Sequence, residues 1–101
     1  MTMAELTSKQ KQYLKGLAHP LSPIVRVGKA GVTEGVEKET RNALESHELI
    51  KVRVDIDDST DRKLMAASLA DSADELLVAT LGKIAILYRE RSEEPEIKLP
   101  R

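Results

Sequence analysis

Two glycines three residues apart, in the run Gly28-Lys29-Ala30-Gly31, are the residues of this chain that most directly suggest chemistry. Glycine opens backbone conformations that other residues avoid, and it has no side chain to keep a ligand away. The run follows a short apolar segment, and Thr33 is the predicted N-cap of the helix that comes next. Backbone N–H groups at a helix N-terminus, beside the charge of Lys29, can bind a phosphate. The same spacing is typical of purely steric turns, so both interpretations are open at this point.

The net charge of −1 hides an uneven distribution of charged residues along the chain. Residues 1–54 contain nine basic and six acidic residues, whereas residues 55–101 contain seven basic and eleven acidic ones. From Leu6 to Thr33 there is no Asp or Glu, while five basic residues fall in that span: Lys9, Lys11, Lys15, Arg26 and Lys29. We therefore expect the N-terminal half of the protein to face an anionic partner.

The composition predicts one folded domain and offers little for catalysis. A chain of 101 residues, 41% hydrophobic and 33% charged, can bury one core without cross-links. With no cysteine and only His19 and His47 as histidines, no acid–base–nucleophile set is visible, so neither an enzyme nor a bound cofactor is expected. The N-terminus lacks the pattern of a signal peptide or membrane anchor, which predicts a cytoplasmic protein without a membrane partner.

Hydrophobic periodicity and capping residues predict the element order helix, strand, helix, strand, helix, strand, strand. The fold class expected from this order is an α/β two-layer sandwich (α+β) with a four-stranded mixed sheet. The charged stretch 90–101 is expected to be a tail on which Ile97 and Leu99 can dock. The predicted elements are helices at Thr7–Ala18, Glu34 to about His47 and about Thr60–Ala73, and strands from Ile24, at Leu49–Asp57, at Glu75–Leu81 and at Ile84–Arg89.

The first helix is predicted to present two faces. Leu6, Gln10, Tyr13, Leu14 and Leu17 fall on one face at helical spacing, and Thr7 with Gln10 forms a capping box. The opposite face carries Lys11, Lys15 and His19, either as a solvated stripe or as an anion-binding one. On the second helix, His47 is expected to pack or to cap.

The second strand alternates apolar and charged residues, which predicts one covered sheet face and one at least partly solvated face. An acidic cluster follows at Asp55, Asp57, Asp58 and Asp61. It can be interpreted as a magnesium site, but we favour capping of the third helix by Asp58 or Ser59, with Asp61 in its first turn.

Several motifs in register resemble one known family. From about Thr7 to Arg101, this chain resembles the CRM domain, and more narrowly the small stand-alone bacterial YhbY proteins. The resemblance implies one RNA-binding domain over residues 1–101, with a core at about 7–89 and a fold similar to the C-terminal domain of translation initiation factor three. The matching runs are Lys15-Gly16-Leu17-Ala18-His19-Pro20, Val27–Glu34, His47–Val52, Gly82-Lys83 with Leu87-Tyr88-Arg89, and the ending Ile97–Arg101.

The resemblance also implies a role for the glycine run. Gly28, Lys29, Ala30 and Gly31 would clamp an RNA backbone, as the corresponding loop of KH domains does. Basic residues would extend this footprint, namely Lys11, Lys15, Arg26 and Lys51. Because Tyr13 and Tyr88 are the only aromatic residues, recognition of RNA backbone and shape is expected rather than base stacking.

The function that follows is a non-enzymatic RNA-binding protein acting in assembly of the large ribosomal subunit. Ribosomal RNA in large-subunit precursors is its expected partner, with ribosomal proteins as further candidates. The alternative is a protein-interaction module that docks on ribosomal proteins or another assembly factor through the solvated sheet face and the acidic C-terminal half.

Overall fold

The expected element order is present in the structure, a computed structural model that describes residues 6–72 and 75–100. Ala73, the predicted end of the third helix, and the terminal Arg101 lie outside the described residues. No helix in these two ranges is both long and apolar enough to cross a membrane. The elements are α1 Ser8–Ala18, β1 Val25–Val27, α2 Glu34–His47, β2 Leu49–Val54, α3 Ser59–Ser72, β3 Leu76–Leu81 and β4 Ile84–Tyr88.

The four strands form one mixed sheet in the order β1-β2-β4-β3, which confirms the predicted fold class. β1 and β2 are parallel neighbours joined through α2, and β4 is antiparallel to both β2 and β3. The turn from β3 to β4 contains Gly82 at φ +58°, a conformation that favours glycine. β1 and β3 are therefore the two edge strands.

β2 ends at Val54, three residues earlier than predicted, because its partner β1 ends at Val27. The chain then turns away from the sheet towards α3.

Apolar residues pack on both faces of the sheet, so the protein has two cores. The first core lies between the sheet and α2 and α3, and the second lies between the sheet, α1 and the C-terminal segment 90–100. The expected two layers are thus extended by a third, because β2 and β4 expose apolar side chains on the second face that α1 must cover. The buried residues of the second core are Leu14, Ala18, Leu49, Val78, Ile86 and Tyr88.

The predicted capping box of α1 is confirmed. The Thr7 hydroxyl accepts the Gln10 N–H at 3.1 Å, and the Gln10 side chain accepts the Thr7 N–H at 3.0 Å. The buried stripe is narrower than expected, because Tyr13 and Leu17 are 42% and 39% exposed. α1 contacts the sheet through the line of Leu14 and Ala18, so the predicted apolar face is only partly correct.

One buried carboxylate fastens the C-terminal segment. Glu48 is 1% exposed and has φ +63°. Its carboxylate accepts the backbone N–H groups of Arg91 at 2.9 Å, Glu96 at 2.8 Å and Ile97 at 3.0 Å. Burial raises the pKa of the Glu48 carboxyl, but these donors and the Arg91 charge outweigh it, so the pKa lies below its ordinary value.

The C-terminal segment makes further contacts along its length. The Arg91 guanidinium donates to the carbonyls of Ser46 at 3.1 Å and Glu94 at 2.8 Å. Ile97 and Leu99 pack against the second core, which confirms that they dock. The segment is therefore part of the folded body.

Candidate functional site

The glycine run forms a closed turn at the end of β1. The Gly31 N–H donates to the Gly28 carbonyl at 3.0 Å, which leaves Lys29 and Ala30 exposed at the tip. Within the described residues, the N–H groups of Lys29 and Ala30 have no hydrogen-bond acceptor. The tip therefore presents two free donors and one ammonium group to solvent.

The two glycines have different structural requirements. Gly31 has φ +78°, and a Cβ there would lie 3.5 Å from the Met65 methyl group, so backbone conformation rather than space favours glycine. Gly28 has no left-handed φ, and a Cβ there would meet no heavy atom within 4 Å. Gly31 is thus explained by folding alone, whereas nothing in the turn itself requires glycine at position 28.

The turn leads into the N-terminus of α2 as predicted. Thr33 is the N-cap and its hydroxyl accepts the Val36 N–H at 3.2 Å. Glu34 and Glu37 lie in the first turn of α2 and already complement the positive end of the helix dipole. Binding of an anion at the turn would therefore depend more on Lys29 and the free N–H groups of the tip than on the helix dipole.

A second group of cations lies on the half of the sheet that α1 leaves uncovered. Because Val25, Val27, Val52 and Val54 point into the first core, alternation places three charged side chains on the opposite face of β1 and β2. These are Arg26, Lys51 and Arg53.

Each of the three is held by a specific contact. Lys51 donates from Nζ to the His19 carbonyl at the C-terminal end of α1, at 3.1 Å. The Arg53 Nε donates to the Asp55 carboxylate at 2.8 Å, and the Arg26 Nε donates to the same carboxylate. The hydrogen bonds from Arg53 and Arg26 hold the pKa of Asp55 below its ordinary value.

The structure brings Lys15 to this group and separates Lys11 from it. Lys15 lines one crevice with His19 and Lys51, next to the uncovered face. Lys11 lines a different crevice with Leu76, at the start of β3, the edge strand opposite β1. Both lysines line a further crevice with Val78 and Ala79 of β3.

We call Lys15, Lys51, Arg53 and Arg26 the cationic strip. It runs from α1 across β2 to β1, and Arg26 is two residues from Gly28. Arg53 was not among the predicted site residues, although its alternation with Lys51 on β2 placed it on the solvated face. The structure thus joins the glycine turn to a basic surface on one edge of the sheet.

The acidic cluster after β2 is distributed among separate partners. Asp58 accepts the Asp61 N–H at 3.0 Å at the start of α3, as a capping residue does. Asp57 lies 3.4 Å from the Lys83 ammonium, and Asp55 binds the two arginines. In the described part of the chain, no three His, Cys, Asp or Glu side chains are grouped to hold a metal ion.

His47 was expected to pack or to cap α2. It is exposed in the last turn of that helix, so the packing prediction is wrong.

Comparisons with known proteins give consistent results. The family model of the CRS1/YhbY (CRM) domain matches residues 6–89. An "RNA-binding protein" of Haemophilus influenzae is 48% identical over 99 residues, 98% of this chain and 99% of that protein. The "Probable RNA-binding protein YqeI" of Bacillus subtilis is 42% identical over 95 residues, 94% of this chain and 99% of that protein. The solution structure of a hypothetical protein from Staphylococcus aureus superposes with TM-score 0.84 at 42% identity, covering 94% and 99% of the two chains.

Proposed function

This chain belongs to the CRS1/YhbY (CRM) domain family, as the motif resemblance predicted, and we propose that it binds RNA without catalysing a reaction on it. The relatives described above are named for RNA binding, which supports RNA as the partner class. We further propose that residues 1–101 act as one RNA-binding domain, with the docked C-terminal segment as part of it.

The observation that carries the proposal is the exposed glycine turn. Lys29 and Ala30 present free N–H groups at its tip, and the Lys29 ammonium adds a full charge. Open space around Gly28 allows an RNA backbone to approach the main chain closely. Phosphate oxygens would accept hydrogen bonds from the tip N–H groups and pair with Lys29.

The rest of the footprint follows the basic residues near the turn. Arg26, Lys51 and Lys15 extend it across the uncovered sheet face, and Lys11, at the opposite sheet edge, is its outermost contact. Each phosphate neutralised releases counterions, so affinity should fall steeply as salt rises.

Base stacking contributes little to the proposed mode of binding. Tyr88 is 3% exposed, and burial, followed by the charges of Glu90 and Glu48, raises its pKa to about 12. Tyr13 is the one exposed aromatic residue of the chain. Recognition of RNA backbone and shape, with modest sequence preference, follows.

We propose that the RNA is ribosomal RNA in precursors of the large ribosomal subunit, bound during assembly in the cytoplasm. The family resemblance supports this role, and the backbone-directed surface suits a structured RNA. Docking on ribosomal proteins is the alternative, favoured by the exposed apolar side chains of Leu21 and Ile24 beside the C-terminal end of α2.

Sedimentation of the tagged protein from a cell lysate through a sucrose gradient tests the cellular role. The wild type should co-migrate with large-subunit precursors and move to the top after ribonuclease treatment. The triple variant Lys11→Ala, Lys15→Ala, Lys29→Ala should stay at the top without ribonuclease. Co-migration that resists ribonuclease would support protein docking instead, and a wild type that stays at the top at low salt would contradict ribosome association.

Binding of purified protein to RNA tests the site itself. The triple variant should bind a labelled RNA hairpin more weakly and with a shallower salt dependence than the wild type. Lys29→Ala alone should weaken binding more than Lys11→Ala, because Lys29 is at the turn and Lys11 lies at the far sheet edge. Unchanged affinity and salt slope in a folded triple variant would refute this assignment of the site.

A further inference from the structure

Two arginines lie side by side on the uncovered sheet face. The parallel register of β1 and β2 places Arg26 directly opposite Arg53, on strands about 4.8 Å apart. Their side chains are 74% and 48% exposed. Like charges at directly opposed positions repel each other, so this arrangement costs stability unless a counter-charge relieves it.

Asp55 supplies that counter-charge in a particular way. One carboxylate oxygen accepts from the Arg53 Nε and the other accepts from the Arg26 Nε. The Asp55 side chain is only 17% exposed, and its backbone N–H donates to the Val27 carbonyl at 2.9 Å, which fixes its position. Asp55 therefore holds both guanidinium groups from one fixed point between the strands.

The contact engages only the inner nitrogen of each guanidinium. Within the described residues, neither terminal nitrogen of Arg26 or of Arg53 has a hydrogen-bond partner. A guanidinium whose Nε is held and whose outer nitrogens are free presents a planar pair of donors that matches two phosphate oxygens. Two such groups lie next to the turn at Gly28, with Lys51 and Lys15 beyond them.

We infer that Arg26 and Arg53 form a phosphate-binding pair for RNA, and that Asp55 is the positioning residue that holds both in place. This inference rests on the proposed function and adds Arg53 and Asp55 to its site. A purely structural role for Asp55 would relieve the repulsion between the arginines and have no effect on RNA beyond its charge.

The direction in which Asp55→Asn changes the affinity for RNA separates the two roles. Asp55→Asn removes a negative charge from the basic surface, so charge alone predicts tighter RNA binding. Positioning predicts the opposite, since the released arginines lose their fixed orientation. The matched control is Asp57→Asn, which makes the same charge change two residues away at a carboxylate that contacts neither arginine.

The experiment measures affinity for a fluorescein-labelled RNA hairpin by anisotropy at several salt concentrations, with circular dichroism to verify folding. We expect Asp55→Asn to weaken binding about threefold or more and Asp57→Asn to leave it unchanged or slightly tighter. Arg53→Gln should weaken binding about tenfold and reduce the salt slope by about one, whereas Arg53→Lys should recover the slope but not the full affinity.

The outcomes distinguish this inference from the function on which it rests. Tighter binding by Asp55→Asn, or wild-type affinity of Arg53→Gln, would overturn the arginine pair while leaving the turn intact if Lys29→Ala still weakens binding. No RNA binding by the wild-type protein would instead overturn the proposed function itself.

Discussion

Two carboxylates at the two ends of β2 perform different tasks. Glu48 precedes the strand, is buried, and accepts three backbone N–H groups from the C-terminal segment. Asp55 follows the strand, is partly buried, and accepts hydrogen bonds from two exposed arginine side chains. Both carboxyls have a pKa below the ordinary value, Glu48 because of backbone donors that outweigh burial and Asp55 because of Arg53 and Arg26.

The difference shows that a lowered pKa does not by itself identify a functional residue. The partners of Glu48 are main-chain N–H groups of the C-terminal segment, so its charge stabilises the fold and is not available to a ligand. The partners of Asp55 are cations with free outer nitrogens, so its charge organises a surface that can still bind something else. Removing each carboxylate should therefore affect different properties.

Glu48→Ala should have the largest effect on stability. It leaves three N–H groups without their acceptor, so we expect a loss of about 3 kcal/mol, limited by release of the C-terminal segment into water. Urea denaturation measures the loss, and Glu45→Ala, at an exposed position in the last turn of α2, is the control. A loss similar to that of the control would contradict the anchoring role of Glu48.

Titration of Glu48 should make the free energy of unfolding depend on pH. Since its pKa is lower in the folded state than its ordinary value of 4.5, its contribution is complete above that value. The contribution disappears as the pH falls through the lower folded-state pKa. Acid denaturation should thus be less steep in Glu48→Gln than in the wild type over this range, and identical profiles would refute the assignment.

The two glycines of the turn should also differ, Gly31 serving the fold and Gly28 serving RNA binding. Gly31→Ala should destabilise the protein by about 1 kcal/mol, because alanine is strained at a positive φ. Gly28→Ala should leave the free energy of unfolding almost unchanged. It should weaken RNA binding, because the added methyl group occupies the space through which the RNA backbone approaches the main chain. Equal stability losses at both positions would show that Gly28 also serves the fold.

Asp55→Asn should have a smaller effect on stability than Glu48→Ala, because the two arginines that Asp55 holds are exposed, and ion pairs with exposed partners contribute little to folding. Its unfolding midpoint in urea should lie close to that of the wild type. A large shift of the midpoint would place Asp55 with Glu48 as a structural residue and remove the contrast between them.

Local sequence signals were sufficient to predict the order of helices and strands and the glycine turn. The Thr7 capping box, the Thr33 N-cap and the alternation along β2 are each encoded within a few residues, and each is present as predicted. The role of Glu48 was not predictable in this way, because its partners are more than forty residues away in the chain.

The arrangement of the basic residues also depends on tertiary structure. Spacing placed Lys11 and Lys15 on one helix face, but only the sheet order shows that Lys11 lies at the β3 edge and Lys15 beside Lys51. Pairing of Arg26 with Arg53 follows from the register of β1 and β2, which no local pattern specifies.

Mapping the RNA contact on the backbone tests the central claim most directly. Amide chemical shifts of isotope-labelled protein would be followed by NMR while an RNA hairpin is added. We predict the largest changes at Lys29 and Ala30 and along the paired segments 25–27 and 52–54, with little change at Glu48. Largest changes in residues 90–100 or along β3, with the glycine turn unaffected, would contradict the proposed interface.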